Sequence, residues 1–200
     1  MKIGKMTLLM MFVGLAGMGF SQKIIKTEGD LAFLKSEKTL NLEYNYEDMG
    51  VGKFKTEEEY VNSKVKEYNE KEAGKGDKWK ESWEGSRDRV YHPKFEELFN
   101  KYSGLTASRN NENANYTLIV KTIFTEPGFN VGVASKPAGV SFEYIFVDSA
   151  TKKVVAKYTQ ANVPGAQAMG YDFDTSTRIS EAYAKAGKML GGFIAKSNKK

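Results

Sequence analysis

The segment Asn115–Ala195 most constrains the fold, because it strings together three strand patterns and one long helix pattern. Tyr116–Thr125 reads YTLIVKTIFT, Val140–Asp148 reads VSFEYIFVD and Lys153–Gln160 reads KVVAKYTQ. Alternate residues of a strand point to opposite faces. In the first strand Tyr116, Leu118, Val120 and Phe124 share one face and Ile119 and Ile123 the other, so apolar residues on both sides predict a central position. In the second, Val140, Phe142, Tyr144 and Phe146 alternate with Ser141, Glu143, Ile145 and Val147. Val154, Ala156 and Tyr158 are the inward candidates of the third. Gly128–Gly139 reads as a hairpin loop and Asp148–Lys152 (DSATK) as a tight turn, so the strands should pair as an antiparallel meander.

The helix pattern runs from about Thr175 to Lys196 and aligns Ile179, Ala182, Tyr183, Ala186, Leu190, Phe193 and Ile194 on one face. Gly187 and Gly191 follow Tyr183 at four-residue steps. Each glycine costs up to ~1 kcal/mol in a helix, so close approach of this helix to the sheet is expected in return.

The amino-terminal half supplies further elements. Gln22–Asp30 is a polar lead, and Leu31–Leu34 could form a short edge strand. In Lys38–Tyr46 (KTLNLEYNY), Leu40, Leu42, Tyr44 and Tyr46 alternate with polar residues, which predicts a half-buried strand. Thr56 followed by Glu59 is a capping box that opens a helix carrying Val61, Val65 and Tyr68 on one face. That helix should end before Gly74 and Gly76. Asp77 could cap a second helix, with Trp79, Trp83 and Val90 on one side. Pro93 suits the first turn of a third, where Phe95, Leu98, Phe99 and Tyr102 form an apolar stripe. Ser108–Asn115 reads as a polar surface loop. The order predicts an α+β two-layer sandwich: a mainly antiparallel sheet, made of the carboxy-terminal meander and an amino-terminal strand, covered by helices.

Residues 1–21 read as a signal peptide, leaving 22–200 as a single domain. Lys2 and Lys5 precede the apolar run Met6–Phe20, and small Gly19 and Ser21 sit where a signal peptidase would cut. The run is short for a membrane span, which takes ~20 apolar residues. The remaining chain carries no span and is expected to be periplasmic or secreted. The chain of 200 residues has no cysteine, which excludes disulfides, thiol catalysis, cysteine metal sites and a lipid-anchoring cysteine. Removing Lys2 and Lys5 lowers the net charge from +5 to +3, with both signs interspersed, which does not point to nucleic acid.

Few residues suggest chemistry. His92 is the only histidine and sits at a helix entry, so neither a histidine-based triad nor a zinc site is expected. No phosphate-loop or dinucleotide motif occurs, and no cofactor is expected. Asp172 and Asp174 could serve as an acid/base pair or cap the last helix. Trp79 and Trp83 with Arg87, Arg89 and Tyr91 could form an aromatic and basic ligand surface for sugar or nucleic acid, or belong to the core. Ser149, in Asp148-Ser149-Ala150, matches a short bacterial O-glycosylation signal within a turn.

The carboxy-terminal half resembles a class of periplasmic domains that includes the TolB amino-terminal-like and curli-secretion-channel-type domains. The resemblance rests on the strand Tyr116–Thr125, the hairpin Val140–Gln160 with Asp148, Thr151, Lys153 and Val154 at its turn, and the Ala- and Gly-rich helix Ile179–Ile194. It covers about eighty residues and its motifs are structural. Three helices lie between the strands where that class usually has one. The resemblance implies a non-catalytic role in envelope assembly or in binding a protein partner, and carries over no functional residue. The expected partner is an envelope protein or a glycan. A carboxylate-dependent hydrolase and a carbohydrate- or peptidoglycan-binding module are the alternatives. The oligomeric state stays open.

Overall fold

The computed structural model describes residues 23–130, 134–166 and 175–199. The expected signal peptide, and the Asp172 and Asp174 pair, lie outside the described residues. The elements in chain order are β1 (Ile24–Gly29), a 3₁₀ turn (Ala32–Lys35), β2 (Thr39–Asn45), β3 (Gly50–Val51), α1 (Glu57–Lys71), α2 (Lys75–Ser86), a π-turn (Arg87–Tyr91) and α3 (His92–Ser103). They continue with β4 (Thr106–Arg109), β5 (Tyr116–Glu126), β6 (Phe129–Asn130), β7 (Ser135–Lys136), β8 (Gly139–Asp148), β9 (Val154–Pro164) and α4 (Thr175–Asn198).

The described strands form one seven-stranded sheet in the order β1-β9-β8-β5-β2-β4, with β3 beside β5, and a separate β6–β7 hairpin. The meander forms as expected. β5 pairs antiparallel with β8 from Tyr116 opposite Asp148 to Glu126 opposite Gly139, and β8 pairs antiparallel with β9. The expectation of a mainly antiparallel sheet needs correction, because the sheet is mixed. β2 runs parallel to both β4 and β5, and β3 runs parallel to β5. The reason lies in the connection. A parallel neighbour needs a crossover of a dozen or more residues, and α1, α2 and α3 supply one between β2 and the strands that follow.

Both edges of the sheet differ from the sequence reading. The polar lead contains β1, paired antiparallel with β9. Leu31–Leu34 lies mostly in the 3₁₀ turn, and the three-residue spacing puts both leucines into the core. The other edge, β4, takes Ser108 and Arg109 out of the expected loop.

Helices cover one face of the sheet. Leu40, Leu42, Leu118, Val120, Phe142, Tyr144, Phe146 and Ala156 are buried there, in one core with Phe95, Phe99, Ile179, Tyr183, Ala186, Leu190 and Ile194. The ring of Phe142 meets Tyr183 edge-on, with centroids 5.0 Å apart. The opposite strand faces carry charge: Lys121 sits across from Glu143, and Lys157 Nζ lies 3.6 Å from Glu28. The layers are thus one mixed sheet and one helical cover.

The capping box forms, with a shift. Thr56 Oγ1 accepts from the Glu59 N–H at 3.2 Å, while the Glu59 carboxylate takes the Lys55 N–H at 3.0 Å, one residue before the cap. α2 begins at Lys75 after Gly74, whose φ of 79° makes it the cap in place of Asp77. Gly76 lies inside α2 and packs on the backbone of Val65. α2, the π-turn and α3 follow one another without a break, and Pro93 falls in the first turn of α3.

Candidate functional site

The most elaborate polar cluster lies where the end of β2, the π-turn and the start of α3 meet. A π-turn lengthens the hydrogen-bonded loop by one residue; here the His92 N–H bonds the Arg87 carbonyl. The extra residue delays the phase of the helix. The apolar face that begins with Trp83 and Ser86 therefore resumes at Tyr91 and His92, all buried, while Val90, expected on that face, is half-buried.

Alternation in β2 sends Tyr44 and the following Tyr46 toward this turn. The Tyr44 ring stacks on His92 with centroids 3.7 Å apart. Tyr46 Oη lies 2.9 Å from His92 Nε2, and His92 Nδ1 lies 3.1 Å from Asp88 Oδ1. A carboxylate only accepts, so Nδ1 carries the proton and Nε2 accepts from Tyr46. Tyr183 on α4 donates to Tyr46 at 3.3 Å and shares a 2.6 Å hydrogen bond with Thr122 on β5. One hydrogen-bond chain therefore runs Thr122–Tyr183–Tyr46–His92–Asp88, from the buried sheet face to an exposed carboxylate.

Charges frame this chain. Arg109 on β4 bonds Asp88 at 2.8 Å and Glu96 at 2.9 Å, and Tyr44 donates to Glu96 at 3.2 Å. Arg87 lies over the Tyr46 ring at 3.8 Å and pairs with both oxygens of Glu57, the first residue of α1. The Trp83 indole N–H also donates to Glu57, at 2.6 Å.

Burial sets the protonation states. It drives the His92 pKa down to about 4; Asp88 opposes that shift, and Arg109 and Arg87 add to it. Burial raises the Tyr46 phenol well above its usual range and holds Tyr183 at about 12. Burial works most strongly against the charge on Arg87, but the Glu57 hydrogen bonds and the charge attraction of Glu57 together overcome it and raise that pKa. The chain thus rests with neutral phenols and a neutral imidazole near pH 7. In that state its hydrogen bonds tie α3 and α4 to the sheet.

The aromatic candidates divide. Trp83 is buried and Trp79 half-buried, with their rings stacked at 5.7 Å. Tyr60 and Tyr68 of α1 flank Trp79 at 5.7 and 5.8 Å. Both indoles border a cavity of about 90 Å³ completed by Ser82, Ser86, Tyr91, Thr175 and Ser176. Arg87, grouped with the tryptophans by sequence, is joined to Trp83 through Glu57 rather than by lining that cavity.

Ser149 is half-buried, and its hydroxyl shares a 3.0 Å hydrogen bond with Thr117. Its turn is fixed by Asp148, which accepts from the Thr151 N–H at 2.7 Å; those bonds lower the Asp148 pKa. Ser149 borders a polar hollow of about 420 Å³ together with Glu37, Glu112, Asn115 and Asp148. No group of three or more acidic or histidine side chains suited to a metal occurs among the described residues.

Sequence reasoning did not find Tyr44, Tyr46, Glu57, Asp88, Glu96, Arg109 or Tyr183 as one cluster. The one available signal was the Asp88–His92 pair at helical i, i+4 spacing. The remaining partners come from separate elements.

No family model and no curated protein matches the sequence. Among solved structures, the chain is similar to a PelC dodecamer from Paraburkholderia phytofirmans, with 12% identity and a TM-score of 0.40, over 83% of this chain and 96% of that one. It is similar to the DUF330 protein XCC0632 from Xanthomonas campestris, with 11% identity and a TM-score of 0.42, over 88% of this chain and 94% of that one. A third likeness is to a protein described as a homolog of a neuraminyllactose-binding hemagglutinin from Helicobacter pylori, with 12% identity and a TM-score of 0.38, over 88% and 90%. None of these three carries a TolB or curli-channel name, so the expected resemblance to those domains is not shown. The likeness is to the general course of the chain, and no residue's role passes from these proteins to this one.

Proposed function

We propose that this chain is an exported cell-envelope protein that acts by binding rather than by turning over a substrate, and that its ligand is a glycan group held at the head of α4. Export rests on the basic and apolar start of the chain, Lys2 to Ser21. The observation that carries the binding site is the position of partly exposed Trp79. It stands at a cavity of about 90 Å³ whose other walls are the hydroxyl-bearing residues Ser82, Ser86, Tyr91, Thr175 and Ser176. An indole face packs against sugar C–H groups, and clustered hydroxyls hydrogen-bond polar substituents. The cavity suits one substituent of acetamido size, with the sugar ring lying outside over Trp79.

The test is a titration of the protein with soluble peptidoglycan fragments, followed by intrinsic tryptophan fluorescence and by analysis of the recovered fragments. The expected result is a saturable fluorescence change, absent in Trp79→Ala, with the fragments recovered intact. No saturable change in the wild type overturns the glycan site. Recovery of cleaved fragments overturns the non-catalytic reading.

A further inference from the structure

At the far end of α4 the surface has a different chemistry. Eighteen residues separate Thr175 from Phe193, so the two ends stand roughly 27 Å apart. A groove of about 530 Å³ lies here between the first residues of β1, the end of α3 and the last turns of α4. Its floor is apolar, built from Ile24, Tyr102, Met189 and Phe193. Lys23, Lys188 and Lys196 stand around it. A second hollow of about 550 Å³ shares Phe193 and Lys196 and continues to Lys199.

We infer that this lysine-rimmed groove is a contact surface for a phospholipid bilayer with anionic headgroups. Charge complementarity carries the choice of partner. No acidic residue follows Glu181 in the sequence, while lysines stand at 185, 188, 196, 199 and 200. Among the described residues none of Lys23, Lys188, Lys196 and Lys199 enters an ion pair. Most lysines of α1 and α2 behave differently: Lys64 and Lys71 both pair with Glu67, Lys75 pairs with Glu72 and Lys80 lies near Glu84, while Lys78 has no ion pair among the described residues. Lys196 also complements the negative end of the α4 dipole, but Lys23 and Lys188 do not lie in that last turn.

The apolar floor selects a bilayer over a purely ionic partner. Tyr102 is 37% exposed, and Lys188 lies 5.2 Å from its ring centre. An aromatic ring at headgroup depth beside lysines that reach outward is the arrangement of an interfacial membrane contact. This inference stands apart from the glycan site, which uses none of these residues.

The test is co-sedimentation of the chain lacking residues 1–21 with vesicles of phosphatidylcholine alone, or of phosphatidylcholine mixed with phosphatidylglycerol. The expected result is binding to the mixed vesicles only, reversed by high salt, since screening at 1 M shortens the Debye length to ~3 Å. Lys188→Glu/Lys196→Glu should weaken that binding at least tenfold, and Tyr102→Ser should weaken it with the charge unchanged. Lys78→Glu/Lys94→Glu, which alters exposed lysines elsewhere, should bind as the wild type does. Circular dichroism melting of each variant shows that the fold is kept. Equal binding to neutral vesicles, no binding to anionic ones, or equal loss in the Lys78/Lys94 variant overturns the inference. So does a wild-type dimer in light scattering that the groove variants convert to monomer, because a second copy would then fill the groove.

Discussion

Gly187 lies so close to Phe95 that a Cβ added to it would stand 2.3 Å from the Phe95 carbonyl oxygen. One turn on, a Cβ at Gly191 would meet the Phe99 carbonyl oxygen at 2.8 Å and the Ser103 nitrogen at 2.9 Å. The glycines therefore bring α4 against α3, where the sequence reading expected the sheet. A glycine stripe announces a close neighbour without naming it. The expected outcome is that Gly187→Ala costs about 2 kcal/mol, because backbone atoms must part and overpacking outweighs the helix-propensity gain. Gly192→Ala, where nothing lies within 4 Å, should gain ~0.5–1 kcal/mol. Urea unfolding of the two variants checks the contrast; the same sign for both would contradict the α3–α4 contact.

The burial of His92 makes stability depend on pH. An unperturbed histidine titrates near 6.5, whereas burial holds the folded-state value at about 4. Between these values the unfolded chain binds a proton that the folded chain does not. Stability contributed by the neutral ring is therefore full above about pH 6.5 and lost as pH falls toward 4. The loss approaches ~3 kcal/mol. In His92→Phe the ring can still stack on Tyr44 but no longer titrates or bonds Tyr46 and Asp88. It should be less stable than the wild type at pH 7, with the gap narrowing toward pH 4. Thermal unfolding midpoints across that range measure it, and a constant gap would mean that the ring does not titrate as described.

Periodicity along the chain was enough to read β5, β8, β9 and α4, because each has an alternation or a stripe set by one burial surface. It could not tell that β2 lies parallel to β5, since a strand's own pattern is the same in either direction. The β1 edge was hidden for a related reason: IIKTEG buries only Ile24, so it carries no alternation. The π-turn was illegible because it is a one-residue phase error between Ser86 and Tyr91, visible only once both flanking helices are packed. The polar cluster needs β2, β4, α1, α3 and α4 together. Only Asp88 with His92 left a mark in local spacing.

The first turn of α1 gives a direct measure of local capping. Thr56 satisfies the Glu59 N–H through its side chain. Thr56→Ala leaves that donor to water and should cost ~1 kcal/mol, while Thr56→Ser should be within a few tenths of the wild type. Chemical denaturation of the two variants tests this. A Thr56→Ala chain as stable as the wild type would mean that α1 is held by its packing on α2 alone.

Glu57 joins three elements, because it accepts from the Trp83 indole on α2 and from the Arg87 guanidinium in the π-turn while standing at the start of α1. The Glu57 and Arg87 side chains are 20% and 22% exposed, so the pair lies between a surface bridge worth under ~1 kcal/mol and a buried one whose breakage costs ~3–5 kcal/mol. Glu57→Gln keeps the shape and an acceptor for Trp83 but strands the Arg87 charge over Tyr46. A loss of about 2 kcal/mol is expected. Arg87→Met alone strands the carboxylate and should also destabilise. The double variant Glu57→Gln/Arg87→Met removes both charges and should be more stable than the sum of the single losses implies, by at least ~1 kcal/mol. A urea-unfolding double-mutant cycle reads this coupling. Strict additivity would show that the π-turn is held by the stacking of Tyr44 on His92 and the burial of Tyr91, with no share from the Glu57–Arg87 pair.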